Sequence, residues 1–207
     1  MKRIAIIVSS QNGQTEKIAA GMAEQLRRKG VESDVFNLTK GQQPTKDQVA
    51  QYEGFIVGAP IHQGEFPVDI LDWAWENGPA MAELPTALFT VSFNAADRRH
   101  RARATDDKML RRFMKETDMR PRFVGTFAGA LAYTKYSFFK KSVMQGMAAS
   151  VGLPTNTMKD FELTNWFDVF EFSEAFQSQN MASKSAAVNR LQWTPEPLWP
   201  MSLQQAA

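Results

Sequence analysis

The run Ile4-Ala5-Ile6-Ile7-Val8 has no polar face. Consecutive apolar residues suit a strand covered on both sides, as in a parallel sheet. After a polar loop, Ile18, Met22 and Leu26 recur every four residues, with Ala19 and Ala23 beside them. That spacing predicts an amphipathic helix over 15–29, and Gly30 stands where a helix-terminating glycine belongs. A buried strand, a loop and a helix in this order form the opening of a βαβ unit.

The rhythm continues. Residues 31–38 alternate, so they predict a half-buried strand near an edge. A polar stretch with Pro44 leads to a short helix before Tyr52. Phe55-Ile56-Val57-Gly58-Ala59 is a second buried run, closed by the loop Ala59-Pro60-Ile61-His62-Gln63-Gly64. Val68, Leu71 and Trp75 mark the next helix, and Pro85 opens a fourth strand over 86–92. Residues 93–121 are charged, with a helical patch over 108–115. A fifth strand is expected over 122–132, then helices over 137–150 and 165–177. From about Met181 the pattern fails: Pro195, Pro197 and Pro200 join isolated Trp193 and Trp199. The expectation is one domain over 1–180 and a flexible tail over 181–207, with docking of the two tryptophans left open. Five strands alternating with helices imply an α/β, doubly wound parallel sheet with right-handed crossovers. Ligands of such sheets bind beyond the carboxyl ends of the strands, where the strand order switches. The loops after strands one, three and four are therefore the places to search.

Composition narrows the chemistry. There is no cysteine among the 207 residues, which excludes disulfides, thiolate catalysis and Cys-held iron–sulfur or zinc. His62 and His100 are the only histidines and lie far apart in sequence, so no metal site is expected. The longest apolar stretch, about 123–133, is too short to span a bilayer. No secretory leader pattern is visible, so the chain reads as cytoplasmic, with peripheral contact on the cytoplasmic face of the inner membrane left open.

The loop after the first strand is Ser10-Gln11-Asn12-Gly13-Gln14-Thr15. Successive backbone N–H groups at a helix N-terminus form an anion site. The hydroxyls of Ser10 and Thr15 and the amides of Asn12 and Gln14 offer neutral donors, and Gly13 permits positive φ. No lysine or arginine lies in the loop, which suits a phosphate monoester better than a triphosphate. Neither a dinucleotide fingerprint nor a P-loop is present. A capped helix after an ordinary turn is the competing reading.

These residues resemble the flavodoxin family, whose phosphate loop has the pattern [ST]-x-[TN]-G-x-T; every position matches. The resemblance implies a five-stranded sheet of order 2-1-3-4-5 with FMN at its switch point. A closer resemblance is to the menaquinone-dependent protoporphyrinogen IX oxidases. It rests on Gly13-Gln14-Thr15 with Ile18-Ala19, on Gly58-Ala59-Pro60-Ile61-His62-Gln63-Gly64, and on Ala128-Gly129-Ala130-Leu131-Ala132-Tyr133-Thr134-Lys135-Tyr136 followed by Thr164-Asn165-Trp166. It covers about 3–177 and includes the long charged insertion after strand four. The implied reaction is oxidation of protoporphyrinogen IX to protoporphyrin IX on FMN, a step of heme biosynthesis, with menaquinone or ubiquinone as acceptor.

The implied phosphate loop is Ser10, Gln11, Asn12, Gly13, Gln14 and Thr15. The ring is implied to lie between Pro60, Ile61, His62, Gln63 and Gly64 on one side and Ser92, Phe93, Asn94 and Ala95 on the other. Phe93 is read either as a stacking ring or as core. His62 titrates near neutrality and is the tempting acid/base, but no catalytic residue is assigned. Residues 97–122 hold ten Lys/Arg against five Asp/Glu. Such a run reads as a solvated face, as a cradle for porphyrin propionates through Arg98, Arg99, Arg101 and Arg103, or as a lipid contact. Tyr133 is the further candidate for substrate contact. The mixture of aromatics and lysines over 133–141 reads either as an interfacial segment or as a core anchor through Phe138 and Phe139. Rival functions are a flavodoxin-type electron carrier and an NAD(P)H:quinone reductase. The sequence carries no recognised nucleic-acid motif beyond charge.

Overall fold

The computed structural model describes residues 3–62, 64–96 and 103–182. Five parallel strands form one sheet in the order β2-β1-β3-β4-β5. They are β1 (Arg3–Val8), β2 (Glu32–Asn37), β3 (Gly54–Pro60), β4 (Thr86–Ser92) and β5 (Phe123–Ala128). β2 is one of the two edge strands, as its alternation implies, and β5 is the other. The order reverses at β1, so the loops leaving β1 and β3 face each other across the switch.

Because side chains alternate along a strand, one continuous sheet builds two cores. Ile4, Ile6 and Val8 face α1 (Gln14–Arg28) and α6 (Trp166–Ala182), together with Phe89, Phe127, Phe172 and Phe176. Ala5 and Ile7 face the other way, with Phe55, Val57, Ile70 and Trp73. That second core is covered by α3 (Val68–Met81) and α4 (Arg103–Thr117), and the short α2 (Lys46–Val49) adds Val49. Each fully buried Ile, Leu or Phe contributes about 1.5–3 kcal/mol. Gly58 is required in β3, because a Cβ there would sit 2.1 Å from the Phe89 ring. Gly30 adopts φ +78° and its N–H closes the end of α1 on Arg27.

Three sequence expectations change. Val68 and Trp75 do lie on a helix, but they are 68% and 66% exposed. The buried face of α3 is instead Ile70, Trp73, Ala74 and Met81. The fifth strand stops at Ala128 rather than 132. Ala130–Leu131 forms β6, which pairs antiparallel with β7 (Phe161–Glu162) outside the main sheet. Between β6 and β7 lies α5 (Phe138–Ser150). Its Phe138 and Phe139 point to solvent, which removes the core-anchor reading.

The charged stretch after β4 carries the crossover helix α4. Met109, Leu110 and Phe113 are buried, with the Phe113 ring edge-on to Phe66 at 5.0 Å. Asp107, Lys108, Arg111, Arg112, Lys115 and Glu116 form its exposed face, so over α4 the charges are a solvated face. Arg98, Arg99 and Arg101 lie outside the described residues, as does the tail 183–207; Arg103 opens α4, and its side chain is likewise outside them. No helix among the described residues is long and apolar enough to cross a membrane.

Candidate functional site

A cleft of about 390 Å³ opens at the carboxyl ends of β1, β3 and β4. The loop after β1 forms its floor. Gly13 takes φ +86° immediately before α1, a left-handed conformation that side chains resist. Among the described residues, the backbone N–H groups of Gln11, Asn12, Gly13, Gln14 and Thr15 donate to no protein acceptor. Ser10 and Thr15 are buried, while Gln11 and Asn12 are exposed at the rim. The Ser10 Oγ accepts from the Glu16 N–H at 3.2 Å.

The loop is held in place by a residue that sequence reasoning missed. Asn37, fully buried at the end of β2, brackets Ser10 as a peptide would. Its Oδ1 accepts from the Ser10 N–H at 3.1 Å and its Nδ2 donates to the Ser10 carbonyl at 3.2 Å. Nδ2 also reaches Glu16 Oε2 at 3.2 Å. Thr39 Oγ1 shares the Ser10 N–H, and Asp69 accepts from both Thr39 and Ser9 at 3.1 Å. The Gln14 amide, expected as a phosphate donor, is committed elsewhere. Nε2 donates to Thr164 Oγ1 at 2.8 Å and to Glu162 Oε1 at 3.2 Å. It ties the loop to the β6–β7 ribbon.

Pro60, Ile61 and His62 line one wall. His62 exchanges two backbone hydrogen bonds with Glu65, closing a tight turn through Gly64 at φ +79°. Gln63 lies outside the described residues. The His62 imidazole is pushed below its ordinary pKa by desolvation in the cleft and by the Lys140 ammonium. Both effects favour the neutral imidazole over the cation. Ser92 and Phe93 line the opposite wall, whereas Asn94 and Ala95 stand behind it. Phe93 packs against Leu131 and Tyr133 at its back.

The wall behind β4 is organised by Asp106 of α4. Ser92 Oγ donates to its Oδ2 at 2.7 Å and Asn94 Nδ2 to its Oδ1 at 3.4 Å. Ser92 Oγ in turn accepts from the Ala95 N–H at 3.0 Å. Burial raises the Asp106 carboxyl above the usual range, against the pull of those two donors.

The ribbon supplies the remaining wall, through Gly129, Ala130, Ala132 and Leu163, with Tyr136, Lys135, Lys140 and Met144 beyond it. Tyr133 is not among them. It is fully buried, its hydroxyl donates to the Pro154 carbonyl at 2.9 Å, and its ring meets Tyr136 and Phe161 edge-on. Tyr133 is thus the keystone of the satellite core, and Tyr136 is the tyrosine that faces the cleft. Glu162 closes the lacing. Desolvation would raise its carboxyl, but Lys17, Gln14 and Trp166 together outweigh that and hold it low. The Lys17 ammonium sits 2.6 Å away, so its charge is already answered. Thr164 Oγ1 donates to the Ala128 carbonyl at 2.7 Å.

A family model described as a flavodoxin domain matches residues 5–157. The chain belongs to the flavodoxin-domain family. It is 28% identical over 178 residues to a Leishmania major protein named protoporphyrinogen IX dehydrogenase (quinone), across 86% of this chain and 75% of that one. It is 26% identical over 168 residues to the Escherichia coli (strain K12) protein of the same name, across 81% and 91%. Among solved structures, a short-chain flavodoxin associated with a non-canonical PDU bacterial microcompartment superposes with TM-score 0.55 at 11% identity. That match covers 87% of this chain and 99% of the flavodoxin. The rubredoxin oxygen:oxidoreductase of Desulfovibrio gigas gives 0.56 at 12% identity, over 90% of this chain and 38% of that one. These two likenesses show the shared fold.

FMN is the cofactor that family membership implies. The residues fit it. Five unengaged N–H groups at a helix N-terminus suit a phosphate dianion, with no cation required beside them. A cleft walled by Ile61, Phe93, Leu163 and Tyr136 suits a flat aromatic ring.

Proposed function

We propose that this flavodoxin-domain protein oxidises protoporphyrinogen IX to protoporphyrin IX with a quinone as electron acceptor. The observation that carries the reading is the likeness to the named dehydrogenases over most of the chain. The stretch 128–136, which resembles the same family in sequence, supplies Gly129, Ala130, Ala132, Lys135 and Tyr136 to the cleft.

Bound there, FMN would supply two-electron redox chemistry, three rounds of which remove the six hydrogens that separate porphyrinogen from porphyrin, with one quinone reduced in each. The chain's own residues prepare the place. The N–H groups of Gln11 to Thr15, with the Ser10 and Thr15 hydroxyls, hold the phosphate. Pro60 to His62 and Ser92 with Phe93 hold the ring between them. Asn37 and Asp106 act behind these segments and position them. Lys135 and Lys140 place positive charge at the cleft, where the propionates of a porphyrinogen would be attracted. Burial and Lys140 favour the neutral form of His62, which lines the cleft beside the ring site.

The test is turnover of protoporphyrinogen IX by the purified, FMN-loaded protein with a quinone acceptor. The expected result is porphyrin formation with three quinols per porphyrin. A rate no greater than that of free FMN would overturn the proposal. Growth of a strain lacking protoporphyrinogen oxidase on supply of this chain tests substrate and acceptor together.

A further inference from the structure

The exposed face of α5 carries four of the large apolar side chains exposed among the described residues. Phe138 and Phe139 are 88% and 78% exposed at its first turn. Val143 and Met147, one and two turns beyond Phe139, continue an apolar stripe on the same side, and Met158 is exposed beyond the helix. Two adjacent phenylalanines held in water mark an interaction surface.

The charges around the stripe choose the partner. Residues 119–159 contain six Lys/Arg and no Asp/Glu. Lys140 and Lys141 lie on α5 itself, with Lys135 just before it and Lys159 after. Lys135 and Lys141 both act on Asp160, the first acid along the chain, whose carboxylate is bound to the Thr134 N–H and hydroxyl at 2.8 and 3.0 Å. Two copies of this face would bring lysines against lysines, which disfavours a dimer through it. Exposed aromatic and aliphatic side chains on a segment whose only charged residues are basic match the headgroup boundary of an anionic bilayer.

We propose that the α5 face docks on an anionic lipid bilayer, with Phe138 and Phe139 inserted and Lys141 and Lys159, which do not line the cleft, on the headgroups. The inference rests on the proposed quinone acceptor for its purpose. α5 also lines the cleft through Lys140 and Met144. The exposed apolar stripe adjoins these two residues around the helix, so docking through it sets the cleft beside the membrane, within reach of a lipid-soluble acceptor.

The test is co-sedimentation of the FMN-loaded full chain with phosphatidylcholine vesicles, with and without phosphatidylglycerol. Binding is expected only with phosphatidylglycerol, and it should weaken as salt is raised. The double variant Phe138→Ser/Phe139→Ser should bind at least ~10-fold more weakly, and Lys141→Glu about 5-fold or more. Flavin content should not change in either, because these side chains lie outside the cleft. Absence of binding to phosphatidylglycerol vesicles overturns the proposal. So does equal binding by wild type and both variants, or a dimer that the double variant abolishes without any vesicle binding. Turnover with a water-soluble quinone in vesicle-free buffer reports separately on the proposed reaction, so its failure leaves this inference standing.

Discussion

Replacing Asn37 tests how the phosphate loop is held. Asn37→Ala removes the acceptor and the donor that bracket Ser10. The Ser10 N–H keeps Thr39 Oγ1 at 3.1 Å, but the Ser10 carbonyl loses its side-chain partner in a buried setting. Neutral hydrogen bonds contribute about 1 kcal/mol each, and a buried polar group left unpaired costs about 1–3 kcal/mol. The expected loss is about 2–4 kcal/mol, or about 5–12 °C in Tm for a chain of this size. Asn37→Asp is the sharper perturbation. It has the same shape and can still accept from Ser10, but it turns an oxygen toward the Ser10 carbonyl and the Glu16 carboxylate. It should therefore be at least as destabilising as Asn37→Ala at pH 7. That new carboxyl is buried beside a carboxylate, so its pKa is raised in the folded state. Its protonated form can donate again, so Asn37→Asp should gain stability relative to Asn37→Ala as pH falls toward 4. Urea unfolding at pH 7 and pH 4.5, with FMN titration by fluorescence quenching, measures both effects. If Asn37→Asp matches wild type at pH 7, or if both variants bind FMN normally and lose less than about 0.5 kcal/mol, the bracket argument is wrong.

Other perturbations separate supporting residues from lining ones. Gln14→Leu should weaken FMN and riboflavin binding alike, because its amide serves Glu162 and Thr164; a selective loss of FMN affinity would restore it as a phosphate donor. Tyr133→Phe removes one hydrogen bond to the Pro154 carbonyl and should cost about 1 kcal/mol. Turnover per bound flavin should stay within a few-fold of wild type, and a large rise in KM for the proposed porphyrinogen substrate would return Tyr133 to the site. Asp106 has a carboxyl raised above its ordinary 3.8, so its contribution to stability is present in acid and lost as pH rises through the folded pKa. Asp106→Asn lacks that titration, and its stability relative to wild type should increase from pH 4 toward neutrality; an unchanged difference across that range refutes the assignment.

The strands, their helices and the turn over residues 10–15 were legible in the chain because their signals are local. Ile4 to Val8 has one possible environment, and Gly13 and Gly30 stand where positive φ is required. The face of α3 was not legible. Val68, Leu71 and Trp75 have helical spacing, but so do Ile70, Trp73 and Ala74, and only the sheet beneath decides between them. The end of β5 was misplaced because 122–132 is apolar throughout. Gly129 approaches Val91 closely, and its carbonyl accepts from Leu163 at 3.0 Å, turning the chain into the ribbon. Tyr133 and Tyr136 look equivalent in sequence; packing buries one and sets the other on the cleft.

What the sequence determined by itself is the set of short-range commitments: buried runs, amphipathic periods, glycines at positive φ, and a loop without cations at a helix N-terminus. Tertiary structure decided which polar side chains serve the site and which serve the scaffold. Asn37 meets Ser10 across 27 residues, Asp106 meets Ser92 across 14, and Gln14 meets Thr164 across 150. No local propensity encodes such partners, because each hydrogen bond exists only once the parallel sheet has brought the carboxyl ends of its strands together.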